Sequence, residues 1–498
     1  MEHDDLLCPT DRGLSRRSLL HGASVGIGAS MLGGLFNARS RAEQGPQHYP
    51  TLGITKPSLD SMPQAWSNSE FHRRWDALRK RMKEAKLDCL IVPQHPHGGI
   101  VLDEYPTTDA DVSWLAGIPA GWVVFPIEGK ITVIGGMGPD NVSAQLRPLP
   151  GIIMTTLFAD NSPDIENWSP GGTERGLWSA TLIDGAPSAN QAHGSHPERG
   201  FWSATLINVL REKKMEQARI GVGSLDHVFR NFDGSVSFSA YDRVRKAFPQ
   251  AQFENAADML WQVKWVHSAE EIAAFEKVTA VSEAGLLAML GTARPGVTNR
   301  DVWLSMYGAM LECSGSRPQH LILTTHGATG LFGCPLPDTI DSGQILCQEC
   351  SGSLLGYGAQ VNHAVLIGSE GPADWPAAAQ YSIDLFHTLL DRVAPGKNIK
   401  EVLDFYVQRL RERGETSKRL ASGVIIHFDG CGDLPRIGPG QWEGPEDAVW
   451  QPGMVFDLKL DIVVKGTPFR ASFGDPVLVT EKGARRLGKR KLEIINLA

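Results

Sequence analysis

The sequence is poor in the features that mark several classes of protein. It has no block of Lys or Arg: 48 basic residues against 56 acidic ones leave a formal charge of −8. A protein that grips a nucleic-acid backbone concentrates basic charge on one face, so that class is excluded. No apolar run has the purity of a membrane anchor. The Gly/Ala-rich stretch that ends near Phe36 is broken by Gly, Ser and Asn and carries His21. Cysteine is scarce and irregularly spaced, 7 in 498 residues. Its tightest pair, Cys347-Gln-Glu-Cys350, lies in an apolar stretch that reads as a strand. Positions three apart on a strand face opposite ways, which makes the pair neither a disulfide nor a metal clip but buried small apolar residues. There is no low-complexity tract, and 53 Gly with 31 Pro imply turns without a collagen register.

What remains is a globular composition, 42% apolar and 21% charged, on a chain long enough for two or three domains. Its first 42 residues read as an address. Arg16 and Arg17 precede the weakly apolar stretch, and Ser40 and Ala42 supply small residues for cleavage after position 42. That is the pattern of a twin-arginine signal, and it implies export to a bacterial periplasm without a stable membrane anchor.

Residues 43–65 are Pro-rich and predict an extended surface segment. From Phe71 an amphipathic helical pattern begins, followed by short apolar strands at Asp88–Pro93, Trp122–Ile127 and Lys130–Gly135, which predicts an α/β domain over 66–258. Inside it Glu174–Asp184 recurs as Glu198–Asn208. Two copies are too few for a solenoid, so the segment 174–208 reads as a local duplication, an extra helix–loop unit. A further unit spans 259–498. Helices are expected at Glu270–Leu290, around Met306–Leu311, at Trp375–Val393 and at Ile399–Arg413. Strands are expected near Leu321–Thr325, Gln344–Cys350, Gln360–Ile367, Val424–His427, Met454–Val464 and Pro476–Thr480.

That order of elements carries recognisable punctuation: Val263-Lys-Trp-Val-His-Ser-Ala-Glu-Glu-Ile272, Pro295-Gly-Val-Thr-Asn299, Ser342-Gly-Gln-Ile-Leu346, Gly356-Tyr357, Pro452-Gly-Met-Val-Phe456 and Val477-Leu-Val-Thr-Glu-Lys-Gly483. Together these resemble the creatinase/aminopeptidase P family. The resemblance implies an α/β (α+β) architecture, with a creatinase-like N-terminal domain and a C-terminal pita-bread domain, and commonly a homodimer.

Metallopeptidases of this family hold two metal ions with two Asp, one His and two Glu, hard donors that generate a hydroxide nucleophile. Carried over by spacing, those positions fall on Glu349, Gln360, His427, Lys459 and Gly474. A cation at position 459 opposes a metal in the same pocket by several kcal/mol at a protein-like dielectric, so the expectation is no metal and no cofactor. Creatinase itself is a metal-free member of the fold. Its guanidinium-binding Glu positions fall on Asn362 and Lys459, which makes creatine an unsuitable substrate.

The residues expected to converge are Glu349, His427 and Lys459 as catalytic groups, with Gln360, Asn362, Asp457 and His326 binding substrate. A Glu beside a Lys offers a general base, an imidazole carries protons near neutrality, and Lys stabilises a developing anion. The expectation is a metal-independent periplasmic enzyme acting on a small molecule, most simply by C–N hydrolysis. Three alternatives stay open: a lyase working by elimination or retro-aldol cleavage, an inactive binding protein built on the same pocket, and an Xaa-Pro metallopeptidase with rearranged ligands.

Overall fold

Two sheets organise the chain. The computed structural model describes residues 52–63, 65–93, 110–117, 121–135, 152–156, 202–223, 225, 236–325, 337–413, 426–428, 436–438, 441–442, 446–464 and 469–497. Residues Thr51–Ala498 form one compact unit.

The described part of the segment expected to lie extended on the surface, residues 52–63 and 65, is largely exposed but is pinned inward at three apolar side chains. Leu52, Ile54 and Met62 are buried in the main core around a short 3-10 turn at Leu59–Ser61. Pro supplies the kinks, but the apolar side chains between them gain more from burial than from water.

Helix α1 (Asn68–Ala85) is capped by the Ser67 side chain, which accepts from the Glu70 N–H. It ends at Lys86 in the left-handed conformation. Its apolar stripe, Phe71, Trp75, Leu78 and Met82, is buried and its basic face is largely turned outward. Around it come β1 (Cys89–Val92), α2 (Ala110–Ala116), β2 (Trp122–Pro126), β3 (Ile131–Gly135), β4 (Ile152–Thr156), α3 (Trp202–Glu212), β5 (Arg219–Val222), α4 (Phe238–Ala247) and β6 (Gln252–Asn255). The six strands form a mixed sheet in the order β4-β3-β2-β1-β5-β6. The first copy of the duplicated segment lies outside the described residues; the second contributes the start of α3.

After α5 (Ala257–Lys264) the chain enters α6 (Ala269–Thr292). Ser268 and Glu271 start it with a reciprocal capping box, and its buried residues cover much of its circumference. This helix lies against the second sheet: the Ser282 hydroxyl donates to the Ala359 carbonyl at 2.6 Å and accepts from the Gly352 N–H at 2.8 Å. The element order continues with α7 (Asn299–Ser314), β7 (His320–Thr325), β8 (Ile345–Leu354), β9 (Tyr357–Ile367), α8 (Trp375–Leu390), α9 (Lys400–Glu412), β10 (Ile426–Phe428), β11 (Arg436–Gly438), β12 (Gln441–Trp442), β13 (Val455–Val463), β14 (Arg470–Thr480), β15 (Gly483–Arg486) and β16 (Ile495–Leu497). The sheet runs β12-β11-β10-β13-β14-β9-β8-β7, antiparallel throughout, with β15 on β14 and β16 parallel to β9. Leu355 and Gly356, both with positive φ, form the two-residue turn joining β8 to β9. Such a turn matches the twist of the flanking strands and locks their register.

A buried network ties α1 to α6. The Arg74 guanidinium pairs with Glu70 at 2.8 Å and with Glu271 at 3.0 Å, donates to the Trp114 carbonyl and stacks 4.3 Å from the Trp66 ring centre. Tyr357, at the head of β9, donates its hydroxyl to Glu271 at 2.6 Å. A carboxylate so deeply buried is tolerable only because each charge is matched.

Cys347 and Cys350 are both buried free thiols, as are Cys89 and Cys313. Burial pushes the thiols of Cys89, Cys347 and Cys350 up to about 12, which leaves them protonated and inert.

Candidate functional site

Strand register assembles the site in two adjacent rows. In one, Ile322 pairs Glu349, Glu349 pairs Asn362, Asn362 pairs Gly474, and Gly474 pairs Lys459. In the next, His320 pairs Ser351 and Ser351 pairs Gln360, while Pro476 pairs Asp457 and Asp457 pairs His427. Positions two apart on a strand share a face, so six strands deliver these residues to one patch.

The contacts confirm the convergence of four of them. Glu349 Oε2 accepts from Gln360 Nε2 at 2.6 Å and from Lys459 Nζ at 3.1 Å. Asp457 Oδ1 accepts the Gln360 backbone N–H at 3.1 Å, fixing that strand from the side. Gln360, Asn362 and Asp457 are nearly inaccessible to solvent, whereas the side chains of Glu349 and Lys459 keep 19% and 15% exposure. The ion pair is thus the open mouth of the patch and the two amides are its floor.

Burial alone would raise the pKa of Glu349. The charges of Lys459, His320 and Arg470 and the Lys459 hydrogen bond outweigh it and hold the carboxyl at about 2. An anion so stabilised is a weak base, so Glu349 serves better as a fixed charge than as the general base its position suggested. Arg470, which adds to that field, is itself paired with Asp461 at 3.0 Å.

His427 stands by register opposite Asp457 and Arg436, and His326 lies outside the described residues. His320 was missed by the sequence reading. It opens β7, is buried, and lies close enough to Glu349 to lower its pKa. The available signal was its alternation with Ile322 along a strand pairing β8, but that needs the register. His363 faces away, packed edge-on against Phe473 with Nε2 3.1 Å from the Glu493 carbonyl, and burial pushes it down to about 3.

The donor set does not fit a pair of dications. Glu349 is already bound by an ammonium, and Gln360 turns its N–H toward that carboxylate. Gly474 offers no donor, and a Cβ there would come within 2.6 Å of the Lys459 Cβ. Among the described residues no group of three or more His, Cys, Asp or Glu is placed to hold a metal. The neighbouring Asp475 is consumed elsewhere, with Arg490 on one oxygen at 2.6 Å and Arg486 on the other at 2.5 Å.

Residues 273–481 match the model of metallopeptidase family M24. The fold is that of solved enzymes: the Xaa-Pro dipeptidase from Bacillus anthracis superposes with a TM-score of 0.62 at 14% identity, covering 86% of this chain and 100% of that one. The prolidase from Pyrococcus horikoshii gives 0.61 at 13%, with coverage of 85% and 100%. In sequence, the Xaa-Pro dipeptidase of Pyrococcus furiosus is 20% identical over 270 residues, 53% of this chain and 74% of that protein. An uncharacterised hydrolase/peptidase of Sinorhizobium fredii is 23% identical over 377 residues, 73% of this chain and 82% of that protein. Residues 273–481 are thus similar to a metallopeptidase M24 domain, on the pita-bread fold that the solved Xaa-Pro dipeptidases share.

Proposed function

We propose that this protein is a hydrolase that cleaves a C–N bond of a small molecule without a dinuclear metal centre, and that it does so in the periplasm after twin-arginine export. The observation that supports this most is the Lys459–Glu349 pair at 3.1 Å, seated where the resemblance would place two metal-binding carboxylates. An ammonium at that position takes over the electrostatic task of a metal, stabilising negative charge that develops on a carbonyl oxygen. In the reaction the oxygen of a water adds to the carbonyl carbon, the C–N bond breaks, and the nitrogen leaves with a proton to give an acid and an amine. His320 is the described imidazole on these rows, a group whose two ring nitrogens suit moving that proton.

The test is metal content of protein purified without chelator, together with release of amine from a panel of small amides and ureas before and after EDTA. Fewer than about 0.1 metal per chain, unchanged melting and EDTA-insensitive turnover are expected, since a resident metal would stabilise the fold by mass action. Two metals per chain, with activity lost to EDTA, would sink the proposal. One observation favours a second reading, a binding protein without turnover: Glu349, held at about 2, is a poor base. Ligand binding with no product from any member of the panel is its signature.

A further inference from the structure

The floor of the patch holds polar atoms that the fold itself does not use. The Asn362 side chain is 1% exposed, and neither its Oδ1 nor its Nδ2 has a hydrogen-bond partner among the described residues. Gln360, equally buried, spends its amide nitrogen on Glu349 and leaves Oε1 without a partner. The orientation of this amide is not interchangeable. An ionised carboxylate only accepts, so the group turned toward Glu349 must be the NH2, and the oxygen must face the other way. A buried amide without partners costs free energy that a purely structural role would not retain.

We infer that Gln360 and Asn362 form a subsite for a neutral group that both donates N–H and offers a carbonyl, a primary or secondary carboxamide or a ureido group. This rests on the proposed hydrolysis and narrows its substrate. Gln360 Oε1 and Asn362 Oδ1 demand donors, while Asn362 Nδ2 and Lys459 Nζ supply donors to a carbonyl. The two side chains stand two residues apart on one strand face, about 7 Å along the backbone, a gap that two amide side chains can close onto one small group.

Three other ligand chemistries fail on the same atoms. A carboxylate accepts only, leaves both oxygens unmatched and meets the charge of Glu349. A guanidinium donates only, strands Asn362 Nδ2 and meets the charge of Lys459. An Xaa-Pro bond is a tertiary amide whose nitrogen carries no hydrogen, so it too leaves the acceptors unmet.

The experiment measures binding to the intact protein by calorimetry and by melting-temperature shift. The probes are benzamide, phenylurea, N,N-dimethylbenzamide and the dipeptide Ala-Pro, and amine release is followed in the same samples. Benzamide or phenylurea should bind about tenfold or more tightly than the dimethylated amide or Ala-Pro, the weight of one well-placed hydrogen bond to a buried group. Asn362→Leu should abolish that preference. Equal binding of the methylated and unmethylated amides, or no binding of either N–H probe, overturns the inference, and this comparison needs no variant to fold. N–H-selective binding without product would uphold the subsite and count against hydrolysis. Cleavage of Ala-Pro without any N–H preference would do the reverse.

Discussion

Two polar clusters lie within one residue of each other on β14, and they are built on opposite terms. Around Asp475 almost everything is matched. Arg490 and Arg486 take its two oxygens, Arg486 also donates to the Arg490 carbonyl at 2.7 Å, and the Glu283 carboxylate accepts the backbone N–H groups of Lys489 and Arg490 at 2.8 Å each. Arg490 further donates to the carbonyls of Asn362 and Gly474, pinning β9 to β14 beneath the site. Around Gly474 the accounts stay open: the Asn362 amide and Gln360 Oε1 are buried and unmatched among the described residues. Clusters that build a fold are satisfied within it, and a cluster left incomplete is where a ligand has something to complete.

The comparison can be broken by substitution. Arg490→Met should have the largest effect, a loss of about 3–5 kcal/mol in urea unfolding, because it takes one of two guanidiniums from buried Asp475 and leaves the Asn362 and Gly474 carbonyls without their donor. A loss under about 1 kcal/mol would mean the matched cluster is not structural.

Lys459→Met comes next, at about 1–3 kcal/mol, since it leaves Glu349 without its ammonium. Its effect depends on pH with a definite sign. The carboxyl of Glu349 is depressed from 4.5 to about 2 in the fold, so it contributes stability above about pH 4.5 that is lost as pH falls toward 2. The variant should flatten the stability curve in that window alone. Buried His267 and His363, lowered from 6.5 to about 4 and about 3, act earlier. They favour the fold above pH 6.5, and that contribution drains away as acid forces them to take a proton. Denaturation midpoints from pH 7 to 3 should therefore decline in both the parent and the variant first, and diverge in slope only below about 4.5.

Gly474→Ala should cost about 1–3 kcal/mol, because its Cβ would meet that of Lys459 and push β13 aside. If thermal melting shows no loss, position 474 has room for a side chain and the argument against a metal ligand there weakens. Asn362→Leu should change stability least, within about 1 kcal/mol and with a gain permitted, since replacing an unmatched buried amide by an apolar group removes a desolvation cost. A loss of several kcal/mol would show that Asn362 serves the fold after all.

Much of the architecture was legible because its signals are local. Ser268 and Glu271 sit three apart and close a capping box, Gly356 marks the hairpin turn between β8 and β9, and the apolar runs through Gln360–Ile367 and Met454–Val464 mark the strands β9 and β13. The expectation that metal-ligand residue types are missing drew on the same kind of local signal, spacing from two glycines. The roles within the site were less so. Glu349 beside Lys459 looked like a base until the combined field of Lys459, His320 and Arg470 was known to hold its carboxyl at about 2. His320 did not look like a site residue until β7 paired with β8. The inward turn of Leu52, Ile54 and Met62 had no local mark either, because the core they join is built by residues hundreds of positions later.

The sequence by itself determined the elements, their order and the family resemblance, all of which follow from side-chain type and short spacing. Only the tertiary structure decided which polar groups are matched. Hydrogen bonding and charge act over a few ångströms between residues far apart in the chain. Arg490 thus closes one cluster from beneath, while the Asn362 amide and Gln360 Oε1, one strand away, find no partner among the described residues.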